Sequence, residues 1–273
     1  MSILRRDFLK LTLKGAVVIG VTNSLKSCTP DYTLPKTQLR FAIASDGHYG
    51  QPETQFESYH DEMITWINEE QKRRGVDFTF INGDLFHDDI AFLEPAKKKW
   101  DTLDMPYYVS HGNHDNTDES NWQQKWNVPW NFAFEKYDAA FLVLNTSDDK
   151  GNYICPHIEW TKEQLTRYQN AKHLFIFMHI TPFSWTTNGS PCPELVELFD
   201  DQKNLKAVFH GHDHYEDSVK QHNNKYYFFD SHIGADWGTA YHGYRIVEIA
   251  ESGDILTYQM NPSAQQQMNI NSI

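Results

Sequence analysis

The stretch Lys206–His214, KAVFHGHDH, decides how the chain is read. Three strand-forming residues, Ala207, Val208 and Phe209, run directly into His210, Gly211, His212, Asp213 and His214. An apolar run that ends in polar groups is a buried strand reaching the rim of a sheet. Three imidazoles at such a rim admit three readings: a solvated loop, histidines capping nearby backbone, or a metal site.

Working outward, the same ending recurs. LRFAIAS (Leu39–Ser45) runs into Asp46-Gly47-His48, and DFTFIN (Asp77–Asn82) into Gly83-Asp84. MPYYVS (Met105–Ser110) runs into His111-Gly112-Asn113-His114-Asp115, and LFIFM (Leu174–Met178) into His179. In open α/β sheets, ligands bind beyond the carboxyl ends of the strands. Five strands ending in carboxylate, amide or imidazole therefore predict one convergent site, which capping does not explain. The donors are His, Asp and Asn without Cys, a set that suits Mn, Fe, Zn or similar divalent ions. Their number exceeds the need of one ion and predicts two ions sharing a carboxylate. Helical spacing separates the strands, as in Glu53–Arg74 before Gly75, Ala91–Leu103, and Ile158–Ala171 with Thr161 and Gln164 at capping-box spacing. Pro193–Phe199 starts a further helix at proline, and strands follow at Lys225–Phe229, Tyr244–Ala250 and Ile255–Met260. The alternation predicts an α/β layered domain with mixed sheets.

The ordered blocks Asp46-Gly47-His48, Gly83-Asp84, Gly112-Asn113-His114-Asp115, His179 and Gly211-His212-Asp213-His214 resemble the calcineurin-like metallophosphoesterase superfamily. Each block alone is weak; the ordered set is specific. The resemblance implies a single-domain, four-layer αββα sandwich with two mixed β-sheets and metals at the strand ends. It implies that Asp46, His48 and His214 hold one metal, that Asn113, His179 and His212 hold the other, and that Asp84 bridges them. His114 is then a catalytic group rather than a ligand, and Asp115 the carboxylate that orients it. The implied reaction is phosphoester hydrolysis, in which a hydroxide bridging the ions attacks phosphorus and His114 assists the leaving oxygen. A small phosphoester is the implied substrate, with a phosphodiester favoured over a monoester or a nucleotide diphosphate. The other class of function open to this fold is a non-catalytic metal-binding scaffold.

Several further residues bear on substrate contact. His87 stands where the purple acid phosphatases of the family carry a tyrosine ligand; it lies in a solvated loop or faces the cleft with Asp88 and Asp89. Trp237 and Tyr241, in the loop Ser231–Gly243, are candidates to stack on a substrate ring. His111 and His210 are expected to be structural. Trp122, Trp126 and Trp130 recur at helical spacing and read as a core stripe or a lid.

The N-terminus is separate. RRDFLK (Arg5–Lys10) resembles a twin-arginine export motif, and Leu25-Lys26-Ser27-Cys28 resembles a lipobox with Cys28 as the acylated residue. The expected organisation is a signal peptide over residues 1–27, a tether over 28–38, the catalytic domain over 39–262 and a polar, frayed C-terminal tail over 263–273. The expected product is an exported bacterial lipoprotein, periplasmic or on the cell surface, tethered to a membrane. The whole chain carries −13 and residues 1–27 carry +4, so the remainder carries −17. That surface repels polyanions and speaks against nucleic acid as a partner. Beyond Cys28, Cys155 and Cys192 form an even pair, read either as a disulfide or as two buried thiols.

Overall fold

The computed structural model describes residues 32–273; the signal-like segment, Cys28 and the start of the tether lie outside the described residues. The strands are β1 (Thr37–Ala44), β2 (Phe78–Asn82), β3 (Tyr107–Ser110), β4 (Phe132–Lys136), β5 (Ala139–Leu144), β6 (His173–Met178), β7 (Leu205–His210), β8 (Val219–His222), β9 (Lys225–Phe229), β10 (Tyr244–Ala250), β11 (Ile255–Asn261) and β12 (Gln266–Ser272). The helices are α1 (Phe56–Arg74), α2 (Leu93–Trp100), α3 (Glu119–Trp126), α4 (Ile158–Arg167) and α5 (Pro193–Asp201). The strands form two six-stranded mixed sheets, ordered β12-β11-β10-β1-β2-β3 and β4-β5-β6-β7-β9-β8. Strands β1, β2 and β3 are parallel in the first sheet, and β5, β6, β7 and β9 in the second.

Alternation along each strand sorts the layers. In β1, Leu39, Phe41 and Ile43 face the second sheet while Ala42 and Ala44 face the helices. In β7, Ala207 and Phe209 face the first sheet and Val208 turns outward. The space between the sheets is filled largely by phenylalanine: Phe41 stands edge-on to Phe141 at 5.4 Å, and Phe80 stacks on Phe177 at 3.7 Å. On the outer face of the first sheet, Met63, Ile64 and Ile67 of α1, Ala96 and Trp100 of α2 and Trp122 of α3 form a second core. Leu165 of α4 with Leu195 and Phe199 of α5 cover the second sheet. This is the expected four-layer arrangement. Among the described residues no helix is long and apolar enough to cross a membrane.

Several local expectations are decided here, some of them as corrections. The tail does not fray: β12 pairs antiparallel with β11, because Gln267 and its neighbours satisfy the open edge of that strand. The end of the tether is docked too. Leu34 N and Thr33 Oγ1 donate to the buried carboxylate of Glu248 at 2.7 and 2.9 Å. Helix α4 is capped by the His157 side chain, which accepts from Trp160 N at 3.1 Å, rather than by a Thr161 box. Strands β4 and β8 carry no apolar alternation strong enough to have been expected. Trp122 and Trp126 are buried, which makes the tryptophan stripe core. Cys155 and Cys192 form a disulfide across a 37-residue separation, with Cα atoms 5.7 Å apart.

A buried ion pair ties β10 to the end of β9. Arg245 is fully buried and donates to Asp230 Oδ1 at 2.5 Å, to Phe229 O at 3.0 Å and to Thr257 Oγ1 at 3.3 Å. Burial pushes the Asp230 carboxyl up to about 6, against the opposing pull of Arg245. Arg245→Ala strands that carboxylate without its partner and is expected to cost about 3–5 kcal/mol in urea unfolding. Adding Asp230→Leu should recover most of the loss; an Arg245→Ala variant as stable as the parent would remove the pair from the stability account.

Candidate metal centre

The first four strand endings named above, with β7 supplying the fifth, converge at the carboxyl edge of the parallel strands. One cluster joins Asp46, His48 and His214, and another joins Asp84, His179 and His212; within each, one donor atom per residue lies within 4.8 Å of the others. Asp84 Oδ2 lies 3.0 Å from His179 Nε2 and 3.6 Å from His48 Nε2, so it reaches both clusters. Asn113 Oδ1, in the loop after β3, is buried with no hydrogen-bond partner.

The backbone is bent to make this possible. Asp46, His48, Asp84 and His212 all take positive φ, between 45° and 67°. Non-glycine residues in that region carry strain, which accumulates where function holds it. Gly112 is required for a different reason: a Cβ there would lie 2.2 Å from Asp84 Oδ1. Asn82, at the end of β2, fixes the two sheets at this edge. Its Nδ2 donates to Phe209 O at 3.1 Å, its Oδ1 accepts from Ser110 Oγ at 2.9 Å, and its carbonyl accepts from His179 Nδ1 at 2.7 Å.

That last bond sets the tautomer of His179. With Nδ1 donating to Asn82, Nε2 faces two carboxylates, Asp84 at 3.0 Å and Asp46 at 3.7 Å. His214 is arranged in the same way, with Nδ1 3.3 Å from Trp237 O and Nε2 3.3 Å from Asp46 Oδ1. His212 Nε2 is buried and unpartnered. Imidazole nitrogens facing carboxylates call for positive charge between them, a proton or a metal ion. The electrostatics agree: burial opposes charge on His179, yet Asp84 and Asp46 outweigh it and lift its pKa to about 10. Asp46 is held well below the usual carboxylate range by His179 and His214, despite burial. Burial keeps His48 and His212 neutral, His212 falling to about 4. Two neutral imidazoles, His48 and His212, and two held by backbone carbonyls beside ionised carboxylates, His179 and His214, are the donor set of a divalent-cation site. The residues fit two such ions.

His114 lies against this centre, its ring 4.8 Å from that of His48. Its expected partner is corrected. Asp115 is buried and accepts from Phe86 N at 3.0 Å and Gly112 N at 2.9 Å, so it shapes the loop, and burial pushes it up to about 8. The carboxylate on His114 is Asp88, with Nδ1 to Oδ1 at 2.9 Å. Burial lowers the proton affinity of His114, but Asp84 and Asp88 outweigh it and the pKa is raised.

The candidate substrate contacts separate. His87 is not a solvated loop residue: its Nδ1 lies 3.0 Å from His48 Nδ1, and its ring stacks on His114 at 4.8 Å. Trp237 is exposed at the mouth and stacks on His214 at 5.3 Å. Tyr241 is turned away, its hydroxyl donating to Asp217 at 2.7 Å. His111 and His210 are structural, bonded to Asp115 O at 2.7 Å and Met178 O at 3.1 Å. Tyr153, exposed and edge-on to His212 at 5.1 Å, had no sequence signal at all. Asp88 had one, its place four residues after Asp84, but Asp115 stood nearer to His114 in sequence.

Comparison with known proteins agrees with this geometry. A family model described as calcineurin-like phosphoesterase matches residues 39–216. No curated protein matches the chain by sequence. A dimetal phosphatase from Danio rerio is similar in fold, with 10% identity and a TM-score of 0.67, over 87% of this chain and 98% of that one. A purple acid phosphatase from yellow lupin (Lupinus luteus) is similar at 14% identity and a TM-score of 0.68, over 88% of this chain and 54% of that one. A 5'-nucleotidase from Candida albicans is similar at 13% identity and a TM-score of 0.53, over 85% and 52%. The chain thus spans about half the length of the last two.

Proposed function

Because the chain belongs to the calcineurin-like phosphoesterase family, we propose that it hydrolyses phosphodiesters at two divalent cations, one held by Asp46, His48 and His214, the other by Asn113, His179 and His212, with Asp84 shared. The observation that carries this is the convergence of two His/Asp clusters that Asp84 reaches together. Bound there, divalent cations neutralise phosphoryl oxygens and acidify water near neutral pH. Manganese, iron and zinc all suit these donors.

The chain's own part is positional and protic. The hydrogen bonds that His179 Nδ1 and His214 Nδ1 donate to Asn82 O and Trp237 O hold two of the imidazoles in the ligating tautomer. Asp88 holds His114 with a proton to give. Water gives its oxygen to phosphorus as the ester P–O bond breaks, the proton on His114 passes to the leaving oxygen, and the proton the water releases restores His114. Because an alcohol is a poor leaving group without that proton, a positioned acid favours diesters over already labile anhydrides. Export to an oxidising compartment, with Cys28 acylated and the domain tethered to a bacterial membrane, belongs to the same proposal; the Cys155–Cys192 disulfide supports it.

The test strips the purified domain of metal and reloads it with Mn²⁺, Fe²⁺ or Zn²⁺ on bis-p-nitrophenyl phosphate. Turnover restored in step with about two bound ions per chain is expected. Full occupancy with no turnover by any ion would favour the scaffold reading.

A further inference from the structure

Beside the metal centre lies an open cleft of about 420 Å³ lined by Tyr59, His232, Asp236, Trp237, Thr239 and His242, among others. A train of rings connects it to the centre: His232 stacks on His214 at 4.9 Å, His242 meets His232 at 4.9 Å, and Tyr59 meets His242 at 4.5 Å. The indole of Trp237 closes the other side against His214. Asp236 stands exposed in this aromatic wall, and Tyr59 donates a hydrogen bond to it at 3.1 Å. Among the described residues lining the cleft there is no lysine or arginine. The loop is fixed in place, because Ser45 and His232 form a parallel bridge off the end of β1.

Aromatic faces with one carboxylate and no cation attract positive charge, by cation–π and direct Coulomb attraction. We propose that this cleft binds the cationic amino-alcohol substituent of a phosphodiester, choline-like or ethanolamine-like, and so selects zwitterionic esters. The proposal rests on the phosphodiesterase reading above. The net charge of −13 points the same way: a zwitterion approaches such a surface without the repulsion that a nucleotide meets. A neutral ring stacked on Trp237 would leave Asp236 with nothing to neutralise.

The test compares p-nitrophenyl phosphorylcholine with its uncharged isostere, p-nitrophenyl 3,3-dimethylbutyl phosphate, on the metal-loaded domain. A preference of about tenfold in kcat/KM for the choline ester is expected, falling to near one in Asp236→Asn. Asp236 is exposed and outside the ligand set, so bis-p-nitrophenyl phosphate turnover should be unchanged in that variant. Equal rates for the two isosteres, or a preference that survives Asp236→Asn, would overturn the proposal. Calorimetric titration of the domain with choline and with 3,3-dimethylbutanol reads the cleft without chemistry. Choline binding lost in Asp236→Asn supports the cleft even if no ester is cleaved, in which case the phosphodiesterase reading is what fails. Glycerophosphocholine and phosphatidylcholine vesicles, offered at equal headgroup concentration, distinguish a free ester from a lipid source, and turnover of either supports the proposal.

Discussion

Asp84→Asn is expected to cut turnover of bis-p-nitrophenyl phosphate by about 10⁴-fold or more, the scale seen when one member of a catalytic unit is removed. The reason is its position. Asp84 reaches His48 in one cluster and His179 in the other, and its Oδ1 also accepts from His114 N at 2.8 Å. Replacing the carboxylate with an amide keeps the shape, and with it that backbone hydrogen bond, but removes the negative charge both clusters share. Metal content by mass spectrometry should fall below that of the parent, while the fold, read by circular dichroism and thermal melting, should survive. A variant that keeps full metal content and full turnover would show that Asp84 is not the shared ligand.

His114→Ala divides the site in another way. It should retain parental metal content and lose about 10²–10⁴-fold in kcat, the range of general acid catalysis. The dependence on leaving group separates catalysis from mere structure. The loss should be small for p-nitrophenolate, which departs without a proton, and large for an alkoxide, which needs one. Asp88→Asn should show the same pattern with a smaller loss, since it acts through His114. Loss of metal in His114→Ala, or an equal loss for all leaving groups, would remove His114 from the acid role.

The difference between Asp88 and Asp115 shows how far sequence carries. Both carboxylates lie in loops that carry ligands, and Asp115 is adjacent to His114 in the chain. Adjacent residues in a tight turn diverge, so Asp115 turns inward to the amides of Phe86 and Gly112, while Asp88 arrives from a separate loop. His87 was obscured for the same reason. Its approach to His48 follows from the positive φ at His48 and Asp84, which re-aims both loops. Trp237 and Tyr241 lie four residues apart in one loop, yet one faces the centre and the other bonds Asp217.

By itself the sequence determined the layered α/β architecture and the residues that gather at its rim. Both follow from local rules: buried parallel strands must be apolar throughout, and each polar ending marks where a strand leaves the core. The signal, the lipid anchor and the export proposed for the N-terminus rest on sequence alone. Tertiary structure decided which carboxylate meets His114, that the last residues form an edge strand, that Cys155 meets Cys192, and that an aromatic, acidic cleft opens beside the metal centre. Each of these depends on two distant segments meeting at about 3–6 Å, a distance set by how sheets pack and loops turn rather than by spacing along the chain.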